Sequence, residues 1–132
     1  SNELISQVDL LNSISSIIGS EFKSKDGIDL SDLLLRNNGK GRDHIVVEAS
    51  TRTAFRKGDW VIIPPYDAPA LNKNVNIELG NSNNFQLYNL EDDPSQKNNL
   101  AKIEKEKLKE IYNEFLKIRG DDFSNIESLI LE

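Results

Sequence analysis

Along the first twenty residues the apolar side chains Leu4, Val8, Leu11, Ile14 and Ile18 return at helical spacing, the pattern of an amphipathic helix. Gly19 follows as a C′ stop. Ser6 with Asp9 three residues later resembles a capping box in which Asp stands for Glu. Residues 20–43 are polar and contain glycine, except for Ile28 to Leu35. There Ser31 is placed to cap a single helical turn before Asn37-Asn38-Gly39 breaks it.

The period then changes from helical to alternating or continuous. His44 to Ala49 is rich in β-branched residues, Ala54 to Lys57 is short and mixed, and Trp60 to Ile63 is apolar. These predict three strands, the second and third joined by a tight hairpin at Gly58-Asp59. Pro64-Pro65 ends the third strand, because proline has no N–H for the ladder. Residues 66–84 are Asn-rich with scattered apolar positions and receive no assignment. Phe85 to Leu90 predicts a further strand. Asp93-Pro94-Ser95-Gln96 then supplies a capping acid, a first-turn proline and a capping-box glutamine in order, so a helix is expected directly after it. Leu100, Ile103, Leu108, Ile111, Phe115 and Ile118 mark its apolar face, and Gly120 its end. The fold class that follows is α+β: a small antiparallel sheet of about four strands, a C-terminal helix packed on one face, and an N-terminal helix. One domain is expected over residues 3–132, with Ser1-Asn2 a remnant of processing.

Composition narrows the function. The chain has 132 residues, 37% hydrophobic and 29% charged, which is the range of ordinary globular domains. No apolar run approaches the roughly 20 residues needed to span a bilayer, so a soluble protein with no membrane partner is expected. The net charge of −6, with basic residues interleaved among acids, offers no cluster to neutralise phosphates. Nucleic acid is therefore not an expected partner. The chain has no cysteine, which excludes a thiol nucleophile, thiolate metal sites and disulfides here.

Four stretches carry a resemblance. Gln86-Leu87-Tyr88-Asn89-Leu90-Glu91-Asp92-Asp93-Pro94 with Asn99-Leu100-Ala101 resembles the C-terminal signature of the sulfatases, which reads ELYNL, two acids, Pro, a spacer, then NLA. Gln86 and Gln96 stand where that family commonly has Glu. Arg56-Lys57-Gly58-Asp59-Trp60 is similar to its R-x-G-D-W hairpin, with Val61 in the place of a common lysine. Val8-Asp9-Leu10-Leu11 running to Gly19 is similar to the D-L-L-P-T helix, with Asn12 and Ser13 replacing Pro and Thr. Asp26-Gly27-Ile28-Asp29-Leu30 through Leu34-Leu35 resembles the D-G-x-S-L-x-P-L-L segment that follows that helix. Each pattern alone is weak, since turn and cap chemistry produces such strings. Four in family order between residues 8 and 101 are specific. The resemblance implies an alkaline-phosphatase-like sulfatase whose C-terminal subdomain is this chain.

In that family the nucleophile is a formylglycine made from Cys or Ser within C/S-x-P-S/A-R, beside a divalent cation, calcium by expectation. Sulfate-ester cleavage needs such a centre because the sulfuryl oxygens and the leaving alkoxide both gather negative charge. None of the four prolines lies in that context, so no nucleophile is expected in this chain, and the resemblance, which puts the family's metal- and sulfate-binding residues upstream of the segment that Asp9 begins, implies no other catalytic residue and no metal ligand here. Both cofactors are implied for an absent N-terminal catalytic domain, and the chain alone is expected to be inactive. The acid pairs Asp92-Asp93 and Asp121-Asp122 read as caps and turns. His44, Arg52 and Arg56 are the candidates for a wall of the substrate cleft. The expected partners are the catalytic domain and, in the whole protein, a sulfated substrate; the parent is expected to be periplasmic or secreted. The alternative is a free-standing module that binds protein or glycan. Both readings predict an exposed apolar patch near the first helix or an edge strand, and with it self-association.

Overall fold

The structure is a computed structural model and describes residues 2–49 and 52–120. Its elements are α1 (Asp9–Ile17), α2 (Ser31–Arg36), β1 (His44–Ala49), β2 (Arg52–Lys57), β3 (Trp60–Ile63), β4 (Leu71–Asn72), β5 (Ile77–Glu78), β6 (Gln86–Asn89) and α3 (Lys105–Arg119). Four strands form one sheet in the order β1-β2-β3-β6, and β4 and β5 form a separate two-stranded hairpin. The fold is α+β. Asp121 and Asp122 lie outside the described residues. Two compact units divide the chain, Ser1–Val61 and Ile62–Glu132.

In the first unit, α1 begins at Asp9 and not near Leu4. Backbone hydrogen bonding decides this: the Leu4 carbonyl accepts the Arg42 N–H at 2.6 Å, and the Glu3 carboxylate accepts the Gly41 N–H at 2.6 Å. Residues 3 and 4 are thus tied to residues 41 and 42 and are unavailable to a helical ladder. The Asp9 carboxylate closes the entry turn by accepting the Ser6 N–H at 2.8 Å, which is the acid half of the capping box. The helix ends before Gly19, at φ +73°. Ser31 does not cap α2 as expected: it is the first helical residue, and its N–H donates to Asp29 Oδ1 at 2.9 Å. Asn37, left-handed at φ 51°, stops the helix.

β1 and β2 are antiparallel, with His44 opposite Lys57, Val46 opposite Phe55 and Ala49 opposite Arg52. Strand alternation puts Thr53 and Phe55 on one face, and both are buried, Phe55 completely. Gly58 turns the chain towards β3 at φ +54°, a conformation that suits glycine.

In the second unit, β6 is buried at three successive residues, Gln86, Leu87 and Tyr88, so both of its faces are covered. The unassigned stretch 66–84 contains the β4–β5 hairpin, with Leu71 opposite Glu78. α3 buries Ile111 and Phe115, and Tyr112 meets Phe85 edge-on with ring centroids 5.0 Å apart. The helix expected directly after Asp93 is not there; α3 starts at Lys105. Asp93 caps a turn instead, accepting the Asn98 N–H at 2.7 Å, and Gln96 takes a left-handed φ of 53°. The intervening chain is held by Asn99. Its Oδ1 accepts the N–H groups of Leu87 and Ala101, its Nδ2 donates to the Phe85 carbonyl, and the Leu100 N–H donates to the Leu87 carbonyl at 2.8 Å. A segment held alongside β6 in this way cannot coil into a first helical turn. Leu100 and Ile103 consequently lie outside the helix, and Ile103 is exposed.

Candidate functional site

The three residues singled out from sequence do not form one cluster. The β1–β2 register sets His44 on the face of Lys57 and Phe55, and Arg52 and Arg56 on the other face with Ala54. The His44 ring lies 5.7 Å from the ring of Phe55, tilted by 42°, and its Nδ1 is 3.8 Å from Asp43 Oδ2. Arg56 donates from Nε to the Gly58 carbonyl at 2.9 Å and so braces the hairpin that its own motif contains. Arg52 is half-buried across from Ala49.

The structure assembles a second set of residues, of which the capping rule singles out only Asp9. Asp9, Asn12 and Ser13, at positions i, i+3 and i+4 of α1, are all buried. Asp9 receives Arg42 in a two-pronged pair, from Nε at 2.8 Å to Oδ2 and from the terminal Nη2 to Oδ1, and it also accepts the Ile28 N–H at 3.0 Å. Burial by itself raises a carboxyl pKa, but the Arg42 guanidinium and the N–H groups of Ile28 and Ser6 outweigh it, and Asp9 falls from 3.8 to about 2. The hydrogen bond to Asp9 raises Arg42 in turn. Arg42 reaches further, donating from Nη2 to the Asp26 carbonyl at 2.7 Å.

Asn12 completes the arrangement. Its Nδ2 donates to the carbonyls of Ser24 and Gly27, and its Oδ1 accepts the Ser24 N–H. The Ser13 hydroxyl donates to the Asp9 carbonyl at 2.7 Å and accepts the Leu30 N–H at 2.9 Å. Gly27 sits so close to α1 that a Cβ would stand 2.5 Å from the Val8 carbonyl oxygen and 2.8 Å from Ser24 Oγ. Two of the family-like motifs are therefore explained as one device: the D-G segment wraps the polar side of the helix. Ser13 keeps a hydroxyl where the sulfatase pattern has threonine. The signal in the sequence was the kind of polar residue on α1. Short Asp, Asn and Ser side chains bond to backbone, whereas a solvated face carries Lys and Glu.

With its polar side inward, α1 turns its apolar side out. Val8, Leu11 and Ile14 are half exposed and Ile18 is 72% exposed. Leu10 and Ile17 flank them, and from Leu4 to Ser20 the chain has no basic residue.

Among the described residues no group of three or more His, Asp or Glu is arranged to hold a metal ion. The Asp93 carboxyl is lowered by the N–H groups of Asn98 and Lys97, which is capping chemistry and not a cation site. No helix among the described residues is long and apolar enough to cross a membrane.

A comparison with protein-family models finds no match. The chain is 37% identical over 112 residues to the N-acetylgalactosamine-6-O-sulfatase of Bacteroides thetaiotaomicron, a match that takes in 82% of this chain and 22% of that protein. A solved structure from work on the metabolism of multiple glycosaminoglycans by the same bacterium matches with a TM-score of 0.75 at 32% identity, over 88% of this chain and 25% of that one. A 2-O glycosaminoglycan sulfatase shares the fold, with a TM-score of 0.56 at 19% identity, over 90% of this chain and 26% of that one. The chain thus spans about a quarter of the length of these relatives. On its ordered motifs, its α+β fold and the identity that runs over most of its residues, the chain belongs to the sulfatase family, as a C-terminal subdomain.

Proposed function

We propose that the polypeptide carrying this subdomain is a sulfuric-ester hydrolase acting on sulfated amino sugars of glycosaminoglycans. The carrying observation is the 37% identity to a relative named for the 6-O-sulfate of N-acetylgalactosamine. The subdomain in this reading braces the catalytic domain and does no chemistry of its own. The chain has no cysteine and no serine in the S-x-P-x-R context, and of its acids Asp9 is taken up by the Arg42 pair, Asp29 by the turn into α2 and Asp93 by the Asn98 cap. The formylglycine and the divalent cation belong, in this reading, to the catalytic domain.

Arg52 and Arg56 are the residues assigned to a substrate wall, because they share one face of β2 and guanidinium groups suit sulfate oxygens in the way they suit other oxyanions. His44 is assigned to packing on Phe55. The reading includes an exported parent, periplasmic or secreted, in line with a chain that has no cysteine to be oxidised there.

The test is sulfate release by the purified parent polypeptide from N-acetylgalactosamine-6-sulfate and from 2-O-sulfated uronic acid sugars, with the 132-residue chain assayed alone. Release from the 6-O-sulfated sugar by the parent, and none above contaminant controls by the chain, is expected. Failure on every sulfated sugar overturns the hydrolase reading, and turnover by the chain alone overturns the bracing role.

A further inference from the structure

We infer that the Asn38-Gly39 peptide is a site of spontaneous backbone modification, where the asparagine closes on the glycine nitrogen to a succinimide that water reopens as isoaspartate and aspartate.

Such a closure needs a side-chain amide that can turn, a following backbone nitrogen that no hydrogen bond holds, and a following residue without a side chain to crowd the attack. All three meet at the end of α2. Asn37 stops the helix in a left-handed conformation, and the Asn38 N–H donates to the Asp32 carbonyl at 3.3 Å. The chain is held up to that nitrogen and released after it, until the Gly41 N–H meets the Glu3 carboxylate. Asn38 and Gly39 are both exposed. Among the described residues no hydrogen bond takes the Asn38 side-chain amide or the Gly39 N–H. Gly39 stands at φ +110°, and a Cβ built there would meet nothing within 4 Å. Glycine leaves and re-enters such a conformation at no steric cost, so the nitrogen has room to swing onto the Asn38 amide carbon.

Elsewhere the same chemistry is locked. Asp26-Gly27 is the other pair in the sequence in which Asp or Asn precedes Gly, and its carboxyl is capable of the same ring closure with loss of water. There the Gly27 N–H donates to Ser24 Oγ at 3.2 Å, the Asp26 carbonyl accepts Arg42 Nη2 at 2.7 Å, and the Gly27 carbonyl accepts Asn12 Nδ2. Swinging the Gly27 nitrogen onto Asp26 would break these bonds in a place where even a Cβ on Gly27 has no room. Asparagine followed by the small residue serine occurs at Asn12 and Asn81. Asn12 is tied by its bonds to Ser24 and Gly27, and Asn81 by a bond from Nδ2 to the Pro69 carbonyl at 2.6 Å.

The reaction balances with water alone. The Gly39 nitrogen loses its proton to solvent and forms a bond to Asn38 Cγ; the Cγ–Nδ2 bond breaks, and Nδ2 leaves as ammonia with a proton returned from solvent. Water adding at Cγ then gives aspartate. Water adding at the backbone carbonyl carbon gives isoaspartate, whose main chain runs through Cβ and Cγ and is longer by a methylene. Either product places a new carboxylate just past the carbonyl end of α2, the end at which the helix dipole disfavours negative charge.

The test ages the parent polypeptide at mildly alkaline pH, native and unfolded in guanidinium chloride, and follows residues 12, 26, 38 and 81 by peptide mapping that separates isoaspartate from aspartate. Asn38 is expected to convert in the native protein at close to its unfolded rate, mainly to isoaspartate. The other three are expected to be slowed by roughly tenfold or more relative to their own unfolded rates, because each must first open locally. Gly39→Ala is expected to slow conversion at 38 by roughly tenfold or more, which is about 1.4 kcal/mol of barrier. Protection at 38 as great as at the other three overturns the inference. Aspartate at 38 without isoaspartate also overturns it, since that product comes from direct hydrolysis of the amide, and so does an unchanged rate in Gly39→Ala.

Discussion

A carboxylate surrounded by four hydrogen-bond donors is comfortable only while ionised, and Asp9 is in that position. Its folded pKa of about 2 lies below the 3.8 of the unfolded chain. The group therefore contributes stability that is present above about pH 4 and is lost as the pH falls towards 2, amounting to about 2 kcal/mol at neutral pH. In Asp9→Asn this contribution is gone, so the stability gap between the two proteins, measured by urea unfolding, is expected to close between pH 4 and pH 2. Parallel pH profiles contradict the assignment. Arg42→Ala at pH 7 leaves a buried carboxylate without its cation and is expected to cost about 3–5 kcal/mol. Two glycines separate steric from conformational cost in the same assay. Gly27→Ala drives a Cβ into the Val8 carbonyl and Ser24 Oγ and is expected to cost about 2 kcal/mol or more. Gly58→Ala meets open space and pays only for its positive φ, about 1 kcal/mol.

Asn99 shows at the scale of the element why one boundary was legible and another was not. The strands β1, β3 and β6 follow from β-branched and apolar runs bounded by Gly and Pro, and the structure has them at or within a residue of the predicted ends. The start of α3 does not follow, because Asp93, Pro94 and Gln96 satisfy the local rules for a helix cap while a distant partner decides the outcome. Asn99 bonds to Phe85, Leu87 and Ala101, and cap statistics contain no information about residues twelve or fourteen positions away. Asn99→Ala removes a partner from two N–H groups and one carbonyl, and a loss of about 1–3 kcal/mol is expected. Hydrogen exchange at the Leu87 amide is the specific readout: it accelerates more than exchange in α1 if the account is right, and by the same factor if Asn99 acts only through global stability. The orientation of α1 was hidden for a related reason. Periodicity states which residues share a side of a helix, and it does not state on which side the core lies.

For the whole molecule, the two compact units have different interiors. Residues Ile62, Leu87, Ile111 and Phe115 give the second unit an apolar core of its own, all of them nearly or fully buried. In the first unit, α1 is organised by the Asp9–Arg42 pair and the Asn12 and Ser13 bonds, and its large apolar residues stand outside. A sequence-level count of hydrophobic residues treats the two alike. His44 shares no face with Arg52 and Arg56, since alternation along paired strands separates residues that stand close in sequence. The proposed function requires a catalytic centre elsewhere in the parent. The most direct measurement is mass mapping of the parent polypeptide, purified from its native source, across any C/S-x-P-S/A-R segment. The account predicts that such a segment is present and that its Cys or Ser carries the mass of formylglycine; a parent that lacks the segment contradicts the assignment of this chain to a sulfuric-ester hydrolase.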